Sequence, residues 1–350
     1  MLMKKFIYVY YFIIFNKLIS FKIPKVSIII PSYNIPNYNY LKLSINSVLN
    51  QTLKNIELIV VDDNANDQTP IILDNYAFFD SRITIIHKRK NEMTGYARNT
   101  GLDFIMGEYL GFLDYDDIFH KDALRISYHE AKKKNFTIVN FNFKQFRKEK
   151  NIINDLKNKN NNYKTEILRK SYFYPIKKTS IYIWCKIYKS SFILNNNFKF
   201  TNTWCDEDVL FCMTIFSFEF EILLIKKPLV FHRLLKSSIS HNVKKLNLRQ
   251  KLYLYHLRKI FKIFKKNNLK NNRIIENIFV LLGISHFKKK NIEKLLRFIK
   301  CYNKIFTNEI IRKYYIKIYN FTELKKLYFY KENNINKYEI IINKKLNCYI

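Results

Sequence analysis

Two apolar runs in this chain each end in aspartate. The first reads Ile56-Glu57-Leu58-Ile59-Val60-Val61-Asp62-Asp63-Asn64, the second Tyr109-Leu110-Gly111-Phe112-Leu113-Asp114-Tyr115-Asp116-Asp117. Carboxylates at the C-terminal ends of buried parallel strands stand where α/β sheets place their ligands. An ionised carboxylate at such a tip needs a donor, a metal or a polar ligand, so two tips on one sheet suggest a shared site for a cation and a nucleotide. Asp114 and Asp116, one residue apart, can point to the same side of a strand end, and carboxylate oxygen suits hard Mg2+ or Mn2+. A third acidic group, Asp206-Glu207-Asp208, follows Trp204. Burial beside Trp204, Val209 and Leu210 would lift a carboxylate towards neutrality and suit it as a general base. The same triplet also suits the first turn of a helix, where the dipole favours acids.

The elements that must position these groups alternate. Val26–Ile30 is a β-branched run stopped by Pro31-Ser32-Tyr33-Asn34, a strand and a turn. Tyr40–Leu49 has helical spacing at Leu41, Ile45, Val48 and Leu49. Ile56–Val61 is a second strand, and Asp67-Gln68-Thr69-Pro70 opens a helix. Ile83–His87, a helix over Gly95–Ile105 and a strand at Tyr109–Leu113 complete a β-α-β-α-β-α-β order, which implies a parallel, doubly wound α/β sheet. Beyond it, Asp122–Lys134 reads as a helix and Phe136–Phe141 as a strand. Lys144–Lys164, rich in Asn and Lys, reads as a loop or lid. Apolar patterning returns at Trp184–Phe200 and Trp204–Phe218, and after Asn247 the chain reads as basic amphipathic helices.

The 350 residues carry a formal charge of +34, distributed unevenly. Residues 22–125 hold 11 Lys and Arg against 13 Asp and Glu, whereas 251–350 hold 24 against 6. The basic C-terminal third suits an anionic membrane surface or nucleic acid, or a plain solvated surface in a Lys- and Asn-rich chain. The five cysteines form no CxxC pair or zinc spacing, as expected of reduced thiols. The apolar stretch Phe6–Phe15 is too short to span a bilayer, which leaves an interfacial anchor over residues 1–24 or a start codon assigned too far upstream.

Taken in order, these segments resemble family 2 of the glycosyltransferases, with its GT-A fold. Val26–Asn34 resembles that family's opening strand and PxYN turn. Leu58–Thr69 resembles its IVVDDGSxDxT segment, Gly95–Gly101 its ARNxG segment, and Gly107–Asp117 its GEYxxFLDxDD segment. Trp184-Cys185-Lys186-Ile187-Tyr188 resembles its WNKLY element, Glu207-Asp208 its ED motif, and Arg233 with Ser238-Ile239-Ser240 its closing R…SIS. Asn64 replaces a usual glycine, at a turn that Asn tolerates. Gly95-Tyr96 replaces Gly-Pro or Gly-x-Ser, and His232 a common Tyr.

The resemblance implies a Rossmann-like, mostly parallel sheet flanked by helices over residues 25–242, with a nucleotide-sugar half to about 125 and an acceptor half after it, followed by a basic helical region at 243–350. It implies a metal-dependent, inverting transferase moving a sugar from a nucleotide diphosphate, UDP first, to a glycan or lipid-linked acceptor of cell-surface polysaccharide. Pro31, Tyr33, Asp63, Arg98 and Asp114 would hold the nucleotide sugar, with Asp63 on the uracil ring. Asp116, Asp117 and His232 would hold Mn2+ or Mg2+, although Asp117 could instead cap the following helix. Asp62 and Asp67 would fix the loop. Asp208 would be the base, supported by Glu207. The expected setting is cytoplasmic, peripheral at the inner face of the membrane. A nucleotidyltransferase would need a Gly-rich loop with Lys where Pro31-Ser32-Tyr33-Asn34 stands, and nucleic-acid binding is suggested by charge alone.

Overall fold

The computed structural model describes residues 23–157, 162–168, 182–203, 207–216, 218 and 220–235. Of two compact units, Met1–Asn277 and Ile278–Ile350, all described residues belong to the first. The N-terminal apolar stretch, Trp204 to Asp206, Ser238 to Ser240 and the basic region 243–350 lie outside the described residues.

Strands β1 (Val26–Ser32) and β2 (Ile56–Asp62) are buried at every position. That is why both read as continuous apolar runs rather than alternating ones. Helix α1 (Tyr38–Leu49) joins them, and α2 (Thr69–Phe79), β3 (Ile83–His87), α3 (Met93–Leu102) and β4 (Tyr109–Phe112) follow. The strands pair in parallel in the order β3-β2-β1-β4, so all four C-terminal ends share one edge. Pro31 is tolerated in a central strand because the β1–β4 pairing stops at Ile29 opposite Phe112, leaving its missing N–H without a ladder partner to lose.

The second half adds β5 (Ile118–Phe119), α4 (Ala123–Lys133), β6 (Ile138–Phe146), α5 (Ile153–Lys157), β7 (Thr165–Leu168), β8 (Lys186–Lys189), α6 (Ser190–Asn195), α7 (Glu207–Ile215) and β9 (Ile222–Arg233). The sheet continues β4-β8-β6-β9-β5, with β7 on β9. Strand β8 runs antiparallel to β4 and β6, while β9 runs parallel to β6. The fold is thus the expected α/β sheet, parallel in its first half and mixed in its second.

The stretch after Phe141 differs from the expected loop. Strand β6 continues to Phe146, a 3-10 turn covers Glu149–Asn151, and α5 follows. Phe146 and Ile152 are buried with Ile118 and Phe231, with Leu156 packed against them. These spaced anchors suffice to order a segment whose polar composition hides them.

Candidate active site

At the tip of β1, Asn34 turns the chain with φ 42°, and at the tip of β2 Asn64 does so with φ 66°. Asn34 Oδ1 accepts the Asn66 N–H at 2.9 Å, tying the two loops. Asp62 accepts the Ala65 N–H and meets His87 Nδ1, both at 2.9 Å. Asp67 accepts the Thr69 N–H at 2.9 Å, at the start of α2. Both carboxylates shape the loop, as expected. Asp63 is different: its Oδ1 accepts Lys88 Nζ at 2.6 Å, and both its oxygens accept the Glu92 N–H, at 3.0 and 3.1 Å. The Lys88 and Asp63 side chains are only 8% and 2% exposed, so this ion pair is shielded from water and screened little by salt.

A cleft of about 320 Å³ opens above these tips, lined by Pro31, Tyr33, Asp63, Arg98, Asp114, Asp116 and Glu207, together with Ser32, Thr94, Ala97 and Tyr115. Arg98 crosses it from α3. Its Nη1 donates to Glu207 Oε1 at 2.6 Å and its Nη2 to Asp114 Oδ1 at 2.8 Å, while the guanidinium lies over the Phe200 ring at 5.5 Å. Burial alone would lower the Arg98 pKa, but the charges of Asp114, Glu207 and Asp208 outweigh it and the net shift is upward. Gly95 lets α3 come this close: a Cβ there would stand 2.4 Å from the Thr201 carbonyl oxygen and 3.2 Å from Glu207 Cγ.

The β4 tip carries more acid than base. Asp116 faces the cleft, and its pKa is pushed up to about 8, first by burial and then by the charges of Asp117 and Asp114. Asp117 is fully buried behind it. Its carboxylate meets His232 Nδ1 at 3.0 Å and accepts the Arg233 N–H at 2.8 Å. The helix that follows takes Asp122 at its N-cap, so Asp117 is no cap. His232 lies flat on Trp184, with centroids 4.8 Å apart. Burial lowers the His232 pKa and Asp117 raises it, with a net rise. Arg233 fixes the turn: its Nε donates to the Asp116 carbonyl at 2.9 Å and its Nη1 to Glu149 at 2.6 Å. Its guanidinium is sandwiched between Tyr40 and Phe146, at 4.0 and 4.5 Å, which compensates a buried Nη2 that has no hydrogen-bond partner. The Tyr115 hydroxyl, raised to about 12 by burial and then by the neighbouring aspartates, stays a neutral donor on the cleft wall.

Helix α7 begins with Glu207 and Asp208, and its first turn holds both acids. Glu207 reaches the cleft through Arg98. Asp208 is half-buried, accepts the Val209 N–H at 2.8 Å, and is not among the lining residues. The structure therefore gathers Pro31, Tyr33, Asp63, Arg98, Asp114, Asp116 and Glu207 on one cleft. Asp117, His232 and Asp208 are not among its lining residues. Sequence reasoning missed Lys88, whose only signal is its place as the first residue past β3. It noted Arg233 but not the turn that Arg233 holds.

Among the described residues no three His, Cys, Asp or Glu side chains form a group able to hold a metal ion. The donor set nevertheless fits a hard divalent cation. Asp116 is a half-buried carboxylate on the cleft with like charges beside it, and Mg2+-type ions are commonly bound by one or two carboxylates, with substrate phosphates completing the shell.

Residues 27–195 match the family model "Glycosyl transferase family 2". EpsH of Bacillus subtilis (strain 168) is 28% identical over 269 residues, covering 75% of this chain and 76% of that one. The poly(ribitol-phosphate) beta-N-acetylglucosaminyltransferase TarP of Staphylococcus aureus (strain N315) is 34% identical over 195 residues, covering 53% of this chain and 56% of TarP. Some relatives match over much less: this chain spans 34% of EpsJ of B. subtilis, at 38% identity over 35% of its own length. The crystal structure of S. aureus TarS residues 1–349 superposes with a TM-score of 0.65 at 17% identity, over 89% of this chain and 94% of that one. With the ordered motifs and the cleft they build, these likenesses identify residues 27–195 as a family 2 glycosyltransferase domain, with a GT-A fold.

Proposed function

We propose that this glycosyltransferase moves a sugar from a UDP-linked donor to a glycan or lipid-linked acceptor, in a metal-dependent single displacement with inversion, during assembly of a cell-surface polysaccharide. The observation that carries this reading is the pair of strand tips on one cleft. One offers a charge-paired carboxylate beside Pro31 and Tyr33, and the other a half-buried carboxylate, Asp116, that no Lys or Arg side chain among the described residues pairs. TarS has been crystallised with UDP and with UDP-GlcNAc, and the mannosyltransferase PcManGT of Pyrobaculum calidifontis with GDP-Man and Mn2+. TarP by its name acts on poly(ribitol-phosphate), which supports a polymer acceptor.

In this reading Tyr33 stacks on the base, and Asp63, held by Lys88, accepts an N–H from its edge. Asp116 would hold Mn2+ or Mg2+, with Asp117 and His232 behind it, and Asp114 sits by the ribose. The cation would supply Lewis-acid neutralisation of the diphosphate. Arg98 balances Asp114 and Glu207, and so ties the donor tip to the acceptor helix. Asp208 takes the proton from the acceptor hydroxyl while the anomeric carbon is attacked from the opposite face, and Glu207 keeps the first turn of α7 against Arg98. The catalytic domain spans residues 25–242, donor half to about 125, and works at the cytoplasmic face of the membrane. Among the described residues no helix is long and apolar enough to cross one.

The test compares UDP release from UDP-sugars by the parent, Asp208→Asn and Glu207→Gln. Loss of a general base costs roughly 10²–10⁴-fold in turnover. Asp208→Asn should show that loss with UDP binding intact, while Glu207→Gln should weaken donor binding as well. Full turnover in Asp208→Asn, or no binding of UDP by the parent, would overturn the reading.

A further inference from the structure

The edge of the sheet opposite the cleft carries an apolar rim. Val26, Ile56 and Tyr109 stand level across β1, β2 and β4, and β3 begins at Ile83 beside Leu58. The residues that lead into these strands therefore share one end of the molecule. Among them Ile23 is 66% exposed, Phe78 and Phe79 are each 83% exposed, and Phe104 and Met106 are 52% and 49% exposed. Phe78 and Phe79 touch edge to face, with centroids 5.1 Å apart, and nothing else in the described structure covers them to that degree. Large aromatics this open cost solubility unless a partner removes them from water.

The surrounding charge names the partner. The nearby carboxylates that reach solvent are neutralised: Asp80 by Arg82, Asp103 by Lys199 and Glu108 by Lys132. Lys54 and Lys134 stand exposed at the same end. The chain also enters the described structure here, at Ile23, out of a sequence with Lys4-Lys5 followed by the apolar stretch Phe6–Phe15. Apolar side chains framed by unpaired lysines match an anionic lipid surface, which takes aromatic rings at its interface and lysine at its headgroups.

We propose that this rim, centred on Phe78 and Phe79, is the face that docks on an anionic bilayer. The seven-residue strands β1 and β2 separate it from the cleft by about 23 Å, so docking turns the cleft towards the aqueous side. None of the rim residues belongs to the basic sequence 243–350, and the proposal does not depend on the donor assigned to the cleft.

The test places a tryptophan reporter in the full-length protein, read as the difference from the parent with its own Trp184 and Trp204: Phe79→Trp and Phe104→Trp at the rim, Tyr96→Trp at the cleft end. Vesicles are phosphatidylglycerol with phosphatidylcholine bearing brominated acyl chains, and pure phosphatidylcholine. The rim reporters should shift to the blue and be quenched by the brominated chains in the anionic vesicles, and the Tyr96 reporter should not. Phe78→Ser combined with Phe79→Ser should weaken partitioning about tenfold or more, with circular dichroism and melting temperature unchanged. Equal quenching at both ends, or none at the rim, would overturn the proposal. So would a blue shift that follows protein concentration without vesicles, which would make the rim a contact between copies of this chain.

Discussion

The two strand tips that face each other across the cleft use the same residue type in opposite ways. At the β2 tip every carboxylate is satisfied: Asp62 has His87 and the Ala65 N–H, and Asp63 has Lys88 and the Glu92 N–H. At the β4 tip Asp114 shares Arg98 with Glu207, Asp117 has His232, and the like charges beside Asp116 outweigh that of His232. The first tip is finished by the protein and can serve as a rigid receptor for a base. The second is left with surplus negative charge, as expected of a site whose cation arrives with its substrate.

The largest effect should come from breaking the finished tip. Lys88→Met leaves Asp63 buried without its cation, which should cost about 3–5 kcal/mol of stability and weaken UDP binding. Lys88→Met combined with Asp63→Asn should recover most of the stability in chemical denaturation but not the binding, because removing both charges also removes the acceptor. Equal recovery of both would make the pair purely structural.

The unfinished tip should respond in the other direction. Asp116 has a pKa of about 8 in the folded protein against 3.8 ordinarily. Between those values the folded state keeps a proton that the unfolded chain releases, so stability declines as pH rises through that window. Asp116→Asn removes the linkage. Without metal, its melting temperature should gain on the parent's as pH climbs from about 5 to about 8. A constant difference across that range would mean that Asp116 is not isolated from cations.

A smaller effect lies between the tips. Met93 opens α3 with φ 70°, a left-handed conformation that costs a side chain roughly 1–2 kcal/mol. Met93→Gly trades that strain for backbone entropy, and the melting temperature should rise by roughly 1–3 °C. A fall would show that the Met93 side chain is held by contacts worth more than the strain.

The contrast also explains what the sequence revealed. The strands of the first half were legible because burial on both faces leaves unbroken apolar runs, and Asp62 and Asp67 because the backbone N–H groups they accept, of Ala65 and Thr69, lie within three residues. Arg98 with Glu207, and Arg233 with the Asp116–Asp117 turn, join residues more than a hundred apart, and no local pattern encodes such a meeting. The order in the stretch after Phe141 was hidden for a different reason. Its anchors, Phe146, Ile152 and Leu156, are spaced too widely among Asn and Lys to register as a period. The sequence alone likewise did not distinguish the cleft-facing Asp116 from the buried Asp117, since what separates them is His232, supplied by the distant strand β9.

The central claim is that the β4 tip awaits a cation that comes with a nucleotide. The most direct measurement is the melting temperature of the parent and of Asp116→Asn with UDP, with Mn2+, and with both, since a ligand bound only by the folded state must raise it. The account expects the largest rise in the parent with UDP and Mn2+ together, and loss of the Mn2+-dependent part in Asp116→Asn. The same UDP-induced rise with and without Mn2+, or an Mn2+ response that survives Asp116→Asn, would contradict it.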